Sequence, residues 1–398
     1  MQTEQIPPHV PERLVRDFNH VSGPEVMADA FGVFRNAPKE PIFFSPRNGG
    51  YWVLTKTEDI REALQHPEVF SSSLTGIPAQ PARREKLIPL ELDPPEHQSY
   101  RRVLAPHFAP KVVKAKAESI KATCVELIDP LVSRGECEFI ADFAQPFPTT
   151  IFTNMLGLPN SESKKFVEWN NVLLHAYGDP ERRSAAGVEI NGYLRDLIDQ
   201  RSADPQDDLL SELLATEIAG EPATRDEVQN FTFMLFVAGL DTVTAALALS
   251  FRFLAENPSH RRQIIDDPEL IPSAVEELLR AFSFVNMSRT VVSDTEFRGV
   301  QMKTGDRVLT ATAFASIDEA EFDHPLVVDF NRPGNNHFAF GAGPHRCAGS
   351  HLARQEMRTA LTEFHLRIPD YSIPAGEQIA MHGGGAMGID RLPLTWPR

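Results

Sequence analysis

Apolar and polar positions follow a helical period over most of the chain and a β period over a smaller part. Apolar residues recur at helical spacing through residues 96–281, and also through 57–65 and 348–364. Strand and turn patterns occupy the rest, in residues 51–55, 290–310 and 366–396. Pro and Gly interrupt the helical region near residues 135, 157–159, 178–180 and 220–222. The pattern predicts a mainly α protein with a minor β portion.

The longest apolar stretch, residues 231–251, is interrupted by Gly239-Leu240-Asp241-Thr242 and followed by Arg252. A membrane span needs about 20 largely apolar residues, so we predict a buried helix here. Residues 1–15 are polar, contain three prolines and lack the apolar region of a signal peptide. We therefore expect a soluble cytoplasmic protein with no membrane partner.

Charge and cysteine content narrow the function classes. The 398 residues hold 39 Lys and Arg against 55 Asp and Glu, and the net charge of −16 argues against a nucleic-acid partner. Cys124, Cys137 and Cys347 are too few for a disulfide framework, and no CxxC pair indicates zinc. No composition shift divides the chain, so we expect a monomer with a single domain over residues 1–398.

One short segment places a cysteine where it can bind a metal cofactor. Residues 340–349 read Phe-Gly-Ala-Gly-Pro-His-Arg-Cys-Ala-Gly, with Cys347 directly before an apolar helix. We expect Gly341 and Gly343 to adopt positive φ angles and to permit close approach to a flat macrocycle. Amides at the start of the helix would stabilise a thiolate, which is suited to ligate a haem iron and to favour O–O bond cleavage. The alternative is a buried structural cysteine beside a turn.

The segment resembles the haem-binding motif of the cytochrome P450 family. Phrases at residues 239–243, 297–301 and 367–373 are similar to its bacterial camphor-hydroxylating subgroup. The resemblance implies a P450 fold with haem b between a long central helix and the cysteine loop, and Cys347 as the iron ligand. Six positions carry the motif: Phe340, Gly341, Gly343, His345, Cys347 and Gly349.

The resemblance also assigns roles in the helical region. The family places an acid–alcohol pair beside the dioxygen site for proton delivery, here Asp241 and Thr242, with Gly239 leaving room for oxygen. Read from the residues alone, Thr242 could equally bond the carbonyl four residues earlier, beside a solvent-facing Asp241. Glu277 and Arg280 match the family's Glu-x-x-Arg element, to which we assign a structural role on the proximal side of the haem.

Two haem propionates need cationic partners when they are buried. The resemblance points to His97, Arg101, Arg289 and His345 as these partners. Taken singly, each of these residues is more typical of a surface charge. Taken together, they favour a propionate-binding cluster.

Departures from the camphor-hydroxylating subgroup concern the substrate. Glu85 stands where those enzymes carry a tyrosine that hydrogen-bonds the substrate ketone. We expect an apolar pocket of changed shape, and a terpenoid substrate such as a camphor-like monoterpenoid, a cineole or a norisoprenoid. Whether loop 77–89 closes over the pocket stays open. Core packing is the alternative role for Met234 and Val285. Five residues are expected to line the pocket: Met234, Val237, Val285, Gly385 and Ala386.

Electrons must come from a partner, because the chain has no flavin or iron–sulfur motif. The subgroup uses an acidic [2Fe–2S] ferredoxin and an NADH-dependent flavin reductase. A hydrogen-peroxide-driven peroxygenase and a non-catalytic haem-thiolate sensor are the alternative functions, and neither needs Asp241-Thr242. A cationic docking surface for the ferredoxin is expected from Arg101, Arg102, Arg332, Arg346 and Arg354.

Overall fold

The computed structural model describes residues 6–73, 76–78, 86–175 and 179–398. Helices dominate, as the sequence predicts. The α-helices are α1 (Pro24–Arg35), α2 (Thr57–Gln65), α3 (Glu96–Leu104), α4 (Pro110–Ala115), α5 (Ala117–Val132), α6 (Pro146–Met155), α7 (Ser163–Asn170), α8 (Pro180–Ala203), α9 (Leu209–Leu214), α10 (Arg225–Glu256), α11 (Pro258–Asp266), α12 (Ile271–Ala281), α13 (Thr312–Ser316) and α14 (Ser350–Arg367). Two π-helical segments span Ile140–Ala144 and Asn171–His175.

The β portion is one five-stranded sheet and several two-stranded ribbons. The strands are β1 (Ile42–Ser45), β2 (Tyr51–Leu54), β3 (Phe70–Ser71), β4 (Glu136–Glu138), β5 (Glu217–Ile218), β6 (Glu221–Pro222), β7 (Asn286–Val291), β8 (Thr295–Phe297), β9 (Val300–Met302), β10 (Arg307–Ala311), β11 (Met381–His382), β12 (Gly388–Ile389) and β13 (Pro393–Thr395). The sheet order is β1-β2-β10-β7-β3, in which only the β10–β2 pair is parallel. The ribbons pair β4 with β13, β5 with β6, β8 with β9, and β11 with β12.

Helix α10 is the central element. It begins with a capping box, in which Thr224 and Glu227 satisfy each other's backbone amides. By length and composition alone it could cross a membrane. Instead it lies in the core, packed by α6, α8 and α14, which confirms the buried helix expected from the apolar stretch at 231–251.

Two apolar cores meet on α10. Its residues up to Leu240 belong to a core that includes α6, α8 and α9, whereas its residues from Val243 onward belong to the main core beneath the sheet. Asp241 and Thr242 lie at this junction. The polar pair therefore interrupts the apolar helix where one core ends and the other begins.

Candidate active site

The cysteine loop is held by a backbone hydrogen bond, in which the Cys347 amide donates to the Phe340 carbonyl at 2.9 Å. Gly341 and Gly343 have φ angles of 68° and 69°, as the sequence predicted. A Cβ at Gly343 would lie 2.2 Å from the carbonyl oxygen of Leu64. Gly343 therefore also approaches the backbone of α2 closely, a contact that the sequence did not indicate.

Cys347 differs from the other two cysteines, which are buried. Its surface is accessible, yet the surrounding protein still raises the pKa of its thiol. The Gly349 amide and the guanidinium groups of Arg101 and Arg346 act in the opposite direction and favour the thiolate. In contrast, burial raises the pKa of Cys137 to about 12, which makes that thiol inert. The setting of Cys347 suits a metal ligand.

Four residues predicted to bind propionates converge beside this loop. The rings of His97 and His345 lie 4.2 Å apart between centroids. Burial, followed by the charges of Arg289, His97 and Arg101, lowers the pKa of His345 to about 3. The side chain of Arg101 also donates to the Arg346 carbonyl. Residues separated by more than 240 positions therefore form one cluster, in which two arginines carry the positive charge and two histidines supply ring nitrogens.

This cluster has the hydrogen-bonding capacity that haem propionates require. Within the described ranges, both ring nitrogens of His97 and Nε2 of His345 are buried without a hydrogen-bond partner. Arg289 is buried, its Nη1 donates to the carbonyl of Ser288 at 2.8 Å, and burial lowers its pKa to about 10. Buried donors and charges without partners cost free energy. Two carboxylates placed here would satisfy them, so the residues present fit a haem.

The central helix presents an open patch. Between residues 227 and 255, all of which are described, only Ala238 and Gly239 are exposed. A Cβ at Gly239 would meet no atom within 4 Å. Thr242 Oγ1 donates to the Ala238 carbonyl at 3.0 Å, so the back-bonded arrangement considered from the sequence is present. Since a hydroxyl keeps two lone pairs after donating, Thr242 is oriented to accept a hydrogen bond from a group beside the helix.

The Glu-x-x-Arg pair is buried at the end of α12. Glu277 accepts from Arg280 at 2.8 and 2.9 Å and from Arg332 at 3.1 Å, while Arg280 also donates to the carbonyls of Ser316 and Pro325 at 2.8 Å. The network ties α12 to the segment that precedes the cysteine loop. The expectation that Arg332 contributes to a docking surface is wrong, because this buried pair holds its side chain inward.

Sequence reasoning missed a second network built on the preceding residue, Glu276. Arg354 donates to Glu276 at 2.7 and 2.8 Å, and His337 lies 3.0 Å from it. Burial opposes ionisation, but these partners outweigh it and lower the pKa of Glu276 to about 2. The Arg354 guanidinium also lies 4.4 Å from the centroid of the Phe340 ring. Arg354 therefore contacts the cysteine loop and is not a free surface charge. The two consecutive glutamates, Glu276 and Glu277, were the feature of the sequence that could have indicated this second network.

The residues expected to line a substrate pocket are placed in two groups. Val285 and Ala386 form a β-bridge, and the Gly385 carbonyl accepts from the Asn286 amide at 2.8 Å. Met234 is buried in the core around α6, α8 and α9, and Val237 packs against that core. Glu85 and residues 79–84 of the expected closing loop lie outside the described residues.

Comparisons with known proteins identify the family that this chain is similar to. A family model described as "Cytochrome P450" matches residues 171–367. "Probable cytochrome P450 127A1" of Sinorhizobium fredii is 37% identical over 409 residues, covering 100% of this chain and 98% of that protein. "Steroid C26-monooxygenase" of Mycobacterium tuberculosis is 33% identical over 366 residues, covering 90% of this chain and 97% of that protein. The crystal structure of CYP101J2 aligns with a TM-score of 0.90 and 32% identity, covering 99% of this chain and 100% of that one.

Proposed function

This chain belongs to the cytochrome P450 family, and from that premise we propose that it is a ferredoxin-dependent monooxygenase that hydroxylates a C–H bond of a small apolar molecule. It has the cytochrome P450 fold and uses haem b. One observation carries the proposal: His97, Arg101, Arg289 and His345 meet beside the Cys347 loop, with buried polar atoms that lack partners in the described part of the chain.

Each group of residues has a separate task in this proposal. Haem ligated by a thiolate supplies the oxidising chemistry, because the thiolate favours O–O bond cleavage. Cys347 provides the thiolate, Phe340 and Gly349 fix its loop, and the cluster of two arginines and two histidines binds the propionates. Gly239 leaves space beside the helix. Thr242 accepts a hydrogen bond there, while Asp241 supplies protons.

Small and aliphatic residues support a terpenoid as the substrate class. Gly385 and Ala386 are small, while Val237 and Val285 are aliphatic. An apolar pocket discriminates one methylene by only about 1–3 kcal/mol, so related terpenoids should compete. Two relatives from Mycobacterium tuberculosis suggest the classes of compound to compare with terpenoids. "Steroid C26-monooxygenase" suggests steroids. "Methyl-branched lipid omega-hydroxylase", which is 32% identical over 395 residues, suggests branched fatty acids.

A proximal cationic patch, defined as Arg101, Arg102 and Arg346, supports ferredoxin as the electron donor. Arg102 and Arg346 are exposed, and Arg101 bonds the Arg346 carbonyl. In a chain of net charge −16, such a local patch would steer an acidic partner. We further propose a monomeric, single-domain cytoplasmic protein, with α10 as a core helix.

A ligand titration tests the substrate class. The haem-loaded protein is titrated with terpenoids, steroids and branched fatty acids while its Soret band is followed. We expect a shift to shorter wavelength with terpenoids at the lowest concentrations. A shift with steroids or fatty acids alone would contradict the terpenoid proposal.

A pocket variant and its control sharpen this test. A side chain at Gly385 would enter open space, so Gly385→Val should fold and weaken binding of the bulkier terpenoids. Gly192→Val makes the same change at an open, exposed position on α8 and should leave binding unchanged.

Turnover separates the three functions considered from the sequence. We expect product with ferredoxin, reductase, NADH and O2, and little with hydrogen peroxide alone. Product only with peroxide would indicate a peroxygenase. A spectral response without product under either condition would indicate a sensor.

A further inference from the structure

A cavity of about 280 Å³ adjoins α10 on the face that Asp241, Thr244 and Ala245 share. It is roomy enough for several water molecules, since each occupies about 30 Å³ in the liquid. The π-helical segments Ile140–Ala144 and Asn171–His175 border it, and such segments are frequent at functional sites. Its polar wall comprises Glu138, Gln145, Asn171, Asp241, His382 and Asp390.

Asp241 links this cavity to the open patch on α10. Consecutive helical residues point about 100° apart, so Asp241 lies on the cavity face while Thr242 lies with Ala238 on the exposed face. At the junction of the two cores, Asp241 therefore faces the cavity and Thr242 faces the exposed patch. Because Asp241 and Thr242 are adjacent in sequence, Asp241 connects the cavity face of the helix to the face that carries Thr242.

His382 also lines the cavity, and it belongs to the β11–β12 ribbon. A Cβ at Gly388 would lie 2.8 Å from Cε1 and Nε2 of its ring and 3.7 Å from the Cβ of Ala245. Glycine at position 388 therefore leaves the space that lets the imidazole lie close to α10. Nδ1 of His382 is 2.9 Å from the carboxylate of Asp390.

The pair spans the boundary between solvent and cavity. The side chain of Asp390 is 67% exposed, whereas that of His382 is 18% exposed. An imidazole can carry a proton on either ring nitrogen, and a carboxylate beside one nitrogen orients the other.

The other polar groups of the wall hold structure. Glu138 accepts from the amides of Ala141 and Leu392 at 2.7 and 2.6 Å, and Gln145 donates to Asn171 at 2.6 Å. They shape the cavity, whereas His382 and the exposed Asp390 form a pair on its wall.

We propose that His382, oriented by Asp390, is the proton-uptake group that supplies Asp241 through water in this cavity. The inference rests on the proposed function: hydroxylation consumes O2, two electrons from the ferredoxin and two protons, and releases one water with the alcohol. Both protons come from solvent. At each transfer the imidazole takes a proton on its solvent-side nitrogen and passes the proton on its other nitrogen to cavity water. This leaves the other neutral tautomer, and a rotation of the ring or an exchange of protons with water restores the first before the next transfer.

His382→Gln tests the route in the haem-loaded enzyme with ferredoxin, reductase and a substrate that wild type hydroxylates. We expect the rate of product formation to fall about tenfold or more and the solvent isotope effect to rise. Haem content and the substrate-induced Soret shift should stay unchanged. Asp390→Asn should show a smaller change in the same direction. Wild-type rate and isotope effect in His382→Gln would overturn the proposal.

His66→Gln is the matched control, since His66 forms an exposed pair with Glu68 at 2.7 Å away from the cavity, and its rate should equal that of wild type. An equal loss there would also overturn the proposal. A high-resolution crystal structure of wild type tests the route without activity: ordered water should join His382 to Asp241, and a dry cavity would refute it. Absence of product from wild type itself would refute the proposed function instead.

Discussion

Thr242 illustrates how one hydroxyl can satisfy the helix and still take part in chemistry. It donates to the Ala238 carbonyl at 3.0 Å and keeps its lone pairs for a group beside Gly239. We expect Thr242→Ala to consume NADH and O2 while product per NADH falls about tenfold or more, with hydrogen peroxide formed in its place. Product, peroxide and NADH measured together give the coupling.

Two variants isolate this effect. Thr242→Ser retains the hydroxyl and should preserve most of the coupling. Thr232→Ala removes a buried threonine of the same helix whose hydroxyl donates to the Val228 carbonyl at 2.8 Å, and it should lower stability without uncoupling. Tight coupling in Thr242→Ala would refute the role of Thr242.

Glu356 is a fully buried carboxyl on α14, and its Oε2 has no hydrogen-bond partner among the described residues. Burial raises its pKa from 4.5 to about 8. Between these values the folded state binds more protons than the unfolded state, so the free energy of unfolding falls as pH rises through this window. We expect Glu356→Gln to remove that fall and to be more stable than wild type above pH 8, by about 1–3 kcal/mol.

The difference in unfolding free energy between variant and wild type, measured by urea titration from pH 5 to 9, checks this prediction. Glu363→Gln is the control, because Glu363 is a buried carboxylate paired with Arg367 at 2.6 Å and Lys121 at 3.2 Å. That variant should lose stability at neutral pH. A difference for Glu356→Gln that does not change with pH would contradict the argument.

At the scale of elements, α12 carries two consecutive glutamates with different environments. The side chain of Glu277 is completely buried, and Glu277→Gln should destabilise the fold by about 3–5 kcal/mol, because it leaves buried guanidinium groups without a full counter-charge. Glu276 is 23% exposed, so water can partly replace its carboxylate and Glu276→Gln should cost less, about 1–3 kcal/mol. Thermal unfolding and haem content of both variants test the ranking, and equal losses would contradict it.

At the scale of the whole molecule, the net charge is −16, so a local cationic surface indicates where an acidic partner would bind. Arg346 is exposed beside the cysteine loop. We expect Arg346→Glu to raise the ferredoxin concentration needed for half-maximal turnover by about tenfold at low salt, and less at high salt, because the attraction is screened. NADH turnover against ferredoxin concentration at two ionic strengths measures this.

Arg182→Glu is the comparison for that prediction. It makes the same charge change on an exposed residue of α8, a helix that packs on the central helix. Its ferredoxin dependence should match wild type. An unchanged Arg346→Glu would remove Arg346 from the docking surface.

Much of the fold and of the site was predictable from local sequence. The glycine-rich loop before α14 predicted the positive φ angles of Gly341 and Gly343, because those angles depend on the residue itself. The apolar stretch broken by Asp241-Thr242 predicted a buried helix. The cysteine motif predicted the family, which the comparisons show. The roles of individual site residues stay predictions.

Tertiary structure decided what depends on contacts between distant segments. It turned Arg332 inward to Glu277, tied Arg354 to Glu276, and brought Gly343 against the carbonyl of Leu64. It also brought the ring of His97 close to that of His345 and placed His382 and Asp241 on the wall of one cavity. The sequence by itself determined the backbone turns, the helical periods and the motif, because these arise from short-range sterics and spacing. Which charges become buried together was settled only by packing, since a side chain's partners depend on the path of the whole chain.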